Sequence, residues 1–357
     1  MFKRKIYISS KITLISTLLC LAFTLIPTTS SAQKKKSEAI DEVHVNERTG
    51  TCFAMYTTQN KILKMTVKLF PLKDGDSREV SLSIKENGNW KEIAKEQVSE
   101  ELYNNRGTKS WTVLFRIENW DDTKPYEYRV TALNGKDTYD GLIRKNPIDK
   151  NEIKVAAFTG NSKKGIGAVY KKDIISNLKY QDPDLLFFSG DQIYGHAEYL
   201  HDWLLFGLQF GDVIRNTPTV CIPDDHDVGL GNLWGEGGKE GLYQGYGDPQ
   251  FVRMVERDQV SNLPDPYDPT PILRGIGVYY TSLKIGRVDF AIIEDRKFKT
   301  NPETLFKRLD EKDIKYEKFK ITNLQTVEGG QAVIDFKDMT LLGERQLKFL
   351  REWGTDW

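Results

Sequence analysis

The sequence predicts an α+β protein with two domains behind a short leader. Residues 43–145 alternate apolar and polar side chains over short stretches separated by turn sequences, which is typical of half-buried antiparallel strands. Residues 150–357 change to apolar strands separated by helical segments, and this favours a parallel or mixed sheet with helices on its faces. The 357 residues suffice for two domains with sizeable cores.

The leader, residues 1–32, has the features of a secretory signal peptide. A basic start precedes an apolar stretch at residues 12–26, and Ser30 and Ala32 occupy the −3 and −1 positions of a cleavage site. A retained membrane anchor is disfavoured because the apolar stretch is short. Cys20 does not follow a small residue, which argues against a lipoprotein, and the leader lacks the Arg pair of twin-arginine export. We therefore expect an exported protein, periplasmic or extracellular, with no stable membrane span after cleavage.

The amino-acid composition limits the classes of molecule that the protein is expected to bind. Hydrophobic residues make up 39% and charged residues 29% of the chain, as in an ordinary globular protein. Lys+Arg and Asp+Glu both total 51, so no net field attracts nucleic acid and no such partner is predicted. Cys52 and Cys221 follow the leader in different predicted domains, and we expect no disulfide between them.

The first predicted domain is a small β-sandwich. Asn87-Gly88 and Asn134-Gly135 are among the turn sequences that separate its strands. The size and strand spacing are like those of fibronectin III or immunoglobulin modules, and the expected role is structural or substrate-shaping. Strands are predicted at residues 61–70, 80–84, 111–117 and 126–132.

The second predicted domain begins after a boundary at residues 146–149. A glycine-rich stretch at residues 231–247 predicts a long loop. Strands are predicted at residues 153–158, 185–188, 219–222, 277–285 and 287–293, and helices at residues 168–180, 198–214 and from Gly343 onward.

Polar side chains follow four of these strands where each strand ends. They are Asn161, then Asp191 and Tyr194, then the run Asp224-Asp225-His226-Asp227, and finally Glu294-Asp295-Arg296-Lys297. Neighbouring strands lie about 5 Å apart, and open α/β sheets bind ligands at the carboxyl ends of their strands. We therefore expect the four ends to meet on one rim.

The run of acids after the third strand predicts a metal site. Clustered carboxylates repel one another and are costly to bury unless a cation compensates them. Oxygen ligands with a His and an Asn suit divalent or trivalent metal ions, and two metals can activate water against a phosphoryl group. Arg296 and Lys297 are candidate phosphate ligands. Alternatively, Arg296 pairs with Glu294 or Asp295, and Asn161 caps a helix.

The motifs Gly190-Asp191-Gln192-Ile193-Tyr194, Pro223-Asp224-Asp225-His226-Asp227-Val228 and Glu294-Asp295-Arg296 resemble those of PhoD-like alkaline phosphatases. That family lies within the calcineurin-like metallophosphoesterase fold. The resemblance covers the chain from residue 153 onward, and the β-sandwich resembles the family's companion domain. It implies metal-dependent hydrolysis of small-molecule or polymer phosphoesters, monoester or diester, by a metal-activated water.

The resemblance also implies roles for single residues. It implies two or more metal ions, with calcium and iron favoured over zinc, manganese or magnesium. His226 would orient or protonate the leaving group, and Arg296 would act beside it on the phosphate. The implied metal ligands are Asp191 as the bridge, Tyr194 on iron, Asp224 or Asp225 with Asp224 favoured, and Asn232.

The sequence departs from the family at three places. The first strand ends in Thr159-Gly160-Asn161 instead of a Ser-Cys or Asp motif, so Asn161 is expected to substitute as a metal ligand. The leader resembles a Sec-type signal, whereas many family members use twin-arginine export. No His follows His226, although the family has late His and Asp ligands.

The third departure predicts an α/β metallophosphoesterase domain that is incomplete at its C-terminus. The alternative function is an exported, non-catalytic binding protein with a degenerate site. An α/β esterase is excluded because the sequence has no Gly-x-Ser-x-Gly motif.

Overall fold

The computed structural model describes residues 45–103, 108–162, 171–194, 198–228, 249–299, 326–327, 330–331 and 340–355. These residues belong to one compact unit, Ile40–Trp357, and the domain boundary at residues 146–149 stays a prediction. The leader and the loop at residues 231–247, with Asn232, lie outside the described ranges. Within those ranges, every helix is too short or too polar to cross a membrane.

The first part of the chain forms two antiparallel sheets of four strands each, with the strand orders β1-β2-β6-β5 and β4-β3-β7-β8. The strands are β1 (Thr51–Gln59), β2 (Ile62–Leu69), β3 (Glu79–Glu86), β4 (Asn89–Gln97), β5 (Ser99–Tyr103), β6 (Thr108–Glu118), β7 (Tyr126–Ala132) and β8 (Asp137–Ile143). Two short 3-10 helices are Val45–Glu47 and Leu133–Gly135. The four predicted strands are confirmed as β2, β3, β6 and β7.

The second part forms a parallel sheet in the order β11-β10-β9, flanked by helices and by shorter strand pairs. The elements are β9 (Val155–Phe158), α1 (Lys172–Gln181), β10 (Leu185–Phe188), α2 (Tyr199–Ile214), β11 (Thr219–Cys221), α3 (Pro249–Val260), β12 (Thr281–Ile285), β13 (Val288–Ile292), β14 (Thr326–Val327), β15 (Gly330–Gln331) and α4 (Gly343–Thr355). The predicted strands and helices are confirmed with shifts of up to four residues at their ends, and residues 168–170 of the first predicted helix lie outside the described ranges, whereas α3, β14 and β15 were not predicted.

β10 and β11 of the parallel sheet are largely buried on both faces, which explains their unbroken apolar sequences, whereas the edge strand β9 is partly exposed. Phe188 of β10 packs edge-on against Phe206 of α2, with ring centroids 5.0 Å apart. On the opposite face, Leu185 belongs to a separate apolar cluster with Leu283 and Ile292 of the β12–β13 pair. Helices therefore cover one face of the sheet, and a β-hairpin covers the other.

The four strand ends were expected to meet on one rim, and the end of β13 does reach Asp224, although β13 lies outside the parallel sheet. Among the described strands, β13 pairs only with β12, in an antiparallel ladder apart from β9, β10 and β11. The tight turn between β12 and β13 brings β13 back across the face of the parallel sheet. Its end still delivers Arg296 to Asp224, but from the second layer.

The first sheet and α2 share one hydrophobic core. Phe53 of β1 packs edge-on against Trp203 of α2, with ring centroids 5.3 Å apart. A Cβ on Gly207 would lie 2.0 Å from Cδ1 of Phe53, so a glycine is required for this close approach. Because β1 is covered on both faces, its sequence shows no alternation. Cys52 lies in this core as a buried free thiol, and burial raises its pKa to about 12.

Candidate metal centre

The loops that follow β9 and β10 lie side by side. The Gly160 N–H donates to the Gly190 carbonyl at 3.0 Å, and the Asn161 N–H donates to the Asp191 carbonyl at 2.7 Å. Gly190 has φ +119°, and a Cβ there would lie 2.5 Å from Cβ of Asp224. Only glycine allows the loop after β10 to approach the loop after β11 this closely.

Three carboxylates converge where these loops meet. Asp191, Asp224 and Asp225 each offer one oxygen, and these oxygens lie within 4.8 Å of one another. Asp225 is buried, with 4% of its surface exposed, and Asp224 is half-buried. Burial raises the pKa of Asp224, and the neighbouring Arg296 opposes that rise. Such a cluster is stable when positive charge is supplied to it.

Arg296 supplies part of that charge. Its guanidinium contacts both oxygens of Asp224, at 3.1 Å from Nη2 to Oδ2, and lies 3.9 Å from Oδ1 of Asp225. Glu294, one of the two alternative partners of Arg296, contacts Lys297 instead. Three carboxylates and one guanidinium leave two negative charges, which is the charge that one divalent cation would balance.

Asp227 lies beneath the cluster and accepts hydrogen bonds from four N–H groups. Oδ2 accepts from the backbone of Asp191 at 2.8 Å and of Asp224 at 2.9 Å. Oδ1 accepts from the backbone of Ile193 at 3.2 Å and from Nε2 of Gln259 at 3.1 Å. Burial raises the pKa of Asp227 to about 7, against the lowering effect of these donors. Asp227 therefore links the loop after β10 to the loop after β11 through buried hydrogen bonds.

Tyr194 and His226 stand together beside Asp191. Their ring centroids are 4.4 Å apart, and the His226 backbone N–H lies 3.4 Å from Oδ1 of Asp191. Burial, and then the Asp191 carboxylate, raise the pKa of the Tyr194 phenol to about 12. A Cβ on Gly160 would lie 2.8 Å from the Tyr194 hydroxyl, so the missing side chain at Gly160 makes room for this phenol.

Asn161 is held in a fixed orientation. Its Nδ2 donates to the Gln192 carbonyl at 3.2 Å and to Oε1 of Gln209 at 2.8 Å. The amide oxygen is thereby left as the acceptor that Asn161 can offer to a ligand. The alternative role as a helix cap is wrong for α1, whose N-cap residue is Lys171.

The surroundings of Lys297 do not match those expected of a phosphate ligand. Only 1% of its surface is exposed, and its ammonium contacts Glu256 of α3 and lies 3.2 Å from Glu294. The ammonium is paired with these two carboxyl groups in the interior, so Arg296 is the better candidate for a phosphate.

The roles of Asp227 and Gln259 were not predictable from the sequence. The acid run pointed to Asp227, but no pattern shows which of its members turns inward. Gln259 had no sequence signal, since α3 alone brings it to the loops. A second group of possible ligands, Glu198, His201 and Asp202, also offers atoms within 4.8 Å of one another at the start of α2.

Comparison with known proteins finds similarity to solved structures only. No family model and no curated protein matches the chain. Among solved structures it is similar to the purple acid phosphatase PPD1 isolated from yellow lupin (Lupinus luteus) seeds, at 14% sequence identity and a TM-score of 0.47. The match covers 72% of this chain and 48% of the lupin chain, so this chain spans about half of that protein. A likeness this weak supports no conclusion about function, which must come from the site.

Proposed function

We propose that this protein is a metal-dependent phosphoester hydrolase of the PhoD-like kind. The proposal depends on the convergence of Asp191, Asp224 and Asp225 at the carboxyl ends of parallel strands, and on the contact of Arg296 with this cluster. Acids packed this closely are unfavourable without a cation, and a guanidinium beside a cation site suits an anionic substrate. Phosphoesters are anionic substrates of this kind, and the described residues do not favour a monoester over a diester.

The donor set fits a hard metal ion. Carboxylate oxygens dominate it, and the oriented amide oxygen of Asn161 and the phenol of Tyr194 are the further candidate ligands. Calcium, iron, magnesium and manganese favour oxygen donors of this type. When bound, the ion lowers the pKa of water and polarises a phosphoryl oxygen.

The side chains of the site then have separate tasks. Asp191, Asp224 and Asp225 hold the cation, and Arg296, relieved of part of its pairing with Asp224, turns its N–H groups toward the phosphate. His226, packed against Tyr194, holds the proton that the leaving group needs. The leader of residues 1–32 supports an exported protein, periplasmic or extracellular, that acts on a small-molecule or polymer phosphoester.

One observation favours the alternative, an exported binding protein without catalysis. The strand end after β9 offers Gly160 and Asn161 but no carboxylate, and the Tyr194 hydroxyl fills the space of a side chain at Gly160. Without a carboxylate at this strand end the cation site has fewer ligands, and the protein would bind a phosphoester without hydrolysing it.

Hydrolysis of chromogenic phosphoesters separates the two functions. Protein treated with a chelator and then supplied with calcium, manganese, iron or zinc is expected to hydrolyse a nitrophenyl phosphomonoester or diester only in the presence of metal. Asp191→Ala should reduce the rate at least about 100-fold, because the clustered carboxylate is lost. Asp212→Ala, on the exposed side of α2, is the matched control and should retain the rate. Unchanged turnover in Asp191→Ala contradicts the mechanism, and cation binding without turnover in the unaltered protein supports the alternative.

A further inference from the structure

The carboxylate of Asp227 joins the two loops that carry the proposed cation ligands. A single oxygen, Oδ2, accepts the backbone N–H of Asp191 at 2.8 Å and the backbone N–H of Asp224 at 2.9 Å. One atom therefore holds the backbones of Asp191 and Asp224 close to each other. Asp227 is fully buried, with 0% of its surface exposed.

Asp191 needs such a restraint. Its φ of +55° lies in the left-handed region, which is unfavourable for a residue with a Cβ. Strained backbone of this kind persists only when surrounding contacts hold it. The hydrogen bond from its N–H to Asp227 is one such contact, and the bond from the Ile193 N–H to the same carboxylate is a second.

Gln259 of α3 fixes Asp227 in turn. Its Nε2 donates to Oδ1 of Asp227 at 3.1 Å, and its Oε1 accepts from Nε2 of Gln192 at 2.9 Å. The Gln192 amide also donates to the Ile222 carbonyl at 3.0 Å and accepts from the Gly190 N–H at 3.0 Å. In this buried network of hydrogen bonds, every side-chain donor faces an acceptor. Exchanging the oxygen and nitrogen positions of one side-chain amide would therefore break the next hydrogen bond.

Both oxygens of Asp227 are occupied by N–H donors, so Asp227 is not available as a cation ligand. We propose that Asp227, braced by Gln259, is a positioning residue that sets the geometry of the Asp191, Asp224 and Asp225 cluster and thereby its cation affinity. The inference rests on the proposed function, because it assumes that the cluster holds a cation. Partners beyond the direct ligands typically change metal affinity 10- to 100-fold when they are replaced.

Calorimetric titration with Mn²⁺ tests the inference on the full chain. Asp227→Asn places an amide donor where Oδ1 accepts from two N–H groups, so the loops must shift. Affinity is expected to fall about 10- to 100-fold. Should Asp227→Asn fail to fold, Gln259→Met removes one donor while keeping the length of the side chain, and it should weaken Mn²⁺ binding in the same direction.

A double variant provides a rescue that a merely structural role does not predict. In D227N/Q259E, the carboxylate at position 259 accepts from the new amide at position 227 and still accepts from Gln192. Mn²⁺ affinity is expected to recover at least partly relative to Asp227→Asn. Gly207→Ala, which strains the core beside Phe53, is the control that lowers stability without altering affinity.

The outcomes separate the two claims. An unaltered protein that binds no Mn²⁺ overturns the proposed function and this inference with it. If Asp227→Asn or Gln259→Met binds Mn²⁺ as tightly as the unaltered protein, the positioning role is overturned, whereas the proposed function is not. Weakened binding in either single variant with no recovery in D227N/Q259E also overturns the proposed hydrogen-bond route.

Discussion

Arg296 contacts Asp224 from outside the sheet that carries Asp224. The carboxylate follows β11 of the parallel sheet, whereas the guanidinium follows β13 of the hairpin packed on that sheet, and Nη2 lies 3.1 Å from Oδ2. The contact therefore joins two layers at the carboxylate cluster. Arg296 also occupies the oxygens that the proposed cation needs.

Replacing Arg296 should tighten cation binding. Arg296→Gln removes a positive charge that competes with the ion for Asp224, and we expect Mn²⁺ affinity to rise about tenfold, or about 1.4 kcal/mol. Stability without metal should fall, because the carboxylates lose their compensation. Calorimetric titration measures the affinity, with Arg129→Gln in the surface pair with Asp140 as the control. Equal or weaker binding in Arg296→Gln contradicts the competition.

The junction between the first sheet and α2 should tolerate no side chain at Gly207. Gly207→Ala places a Cβ against the Phe53 ring, and we expect a loss of about 1–3 kcal/mol in the free energy of unfolding. The control is Gly211→Ala one turn later, where the nearest atoms lie 3.9 Å away and the better helix former should add up to about 1 kcal/mol. Urea unfolding of both variants measures the difference, and equal effects would refute the tight packing.

Lys68 and Asp258 form an ion pair inside the protein, between the first sheet and α3. The Lys68 ammonium lies 3.1 Å from both carboxylate oxygens, and Ser110 also donates to them. Lys68→Met leaves a buried charge without compensation and should cost about 3–5 kcal/mol in urea unfolding. Lys85→Met, in an exposed pair with Glu127, should cost less than about 1 kcal/mol.

The double variant K68M/D258L isolates the cause. It removes both charges, so it should be more stable than Lys68→Met alone. A double variant that is less stable than the single one contradicts the assignment of the loss to an uncompensated carboxylate.

Glu294 should make stability fall as pH rises. Burial raises its pKa from 4.5 to about 7, although Lys297 opposes that rise, and Glu256 adds to it. Between pH 4.5 and about pH 7, Glu294 is protonated in the folded protein but ionised in the unfolded chain. The free energy of unfolding therefore decreases as the pH rises, by at most about 1.4 kcal/mol per pH unit. Glu294→Gln should remove this contribution.

Urea unfolding at several pH values from 5 to 8 measures the slope. Subtracting the slope of Glu294→Gln from that of the unaltered protein isolates the contribution of Glu294. Exposed Glu96→Gln is the control and should keep the slope of the unaltered protein. Identical slopes in the unaltered protein and in Glu294→Gln would contradict a protonated Glu294 in the folded state.

The parts of the fold that the sequence predicted are those whose pattern matches their burial. β9, β10 and β11 were predictable because short apolar runs end in turns and acids. β4 was not, because its sequence, NWKEIAKEQ, is polar and largely exposed, and pairing with β3 alone makes it a strand. β1 was missed because both of its faces are buried and alternation disappears.

The candidate site was predictable in its members but not in its construction. Asp191, Asp224 and Asp225 follow parallel strands, so their convergence could be inferred from topology. The meeting of Arg296 with the other strand ends was predicted, but its position in a second layer was not, because an apolar run does not show how a hairpin packs on a neighbouring sheet. Gln259 could not be found at all, since its place beside Asp227 depends on how α3 packs.

Anomalous X-ray scattering from crystals soaked in Mn²⁺ would locate the proposed cation. We predict a peak about 2.0–2.6 Å from oxygens of Asp191, Asp224 and Asp225, and loss of that peak in Asp191→Asn. A peak confined to Glu198, His201 and Asp202, or no peak at all at saturating Mn²⁺, would contradict the cation site on which the proposed hydrolase depends.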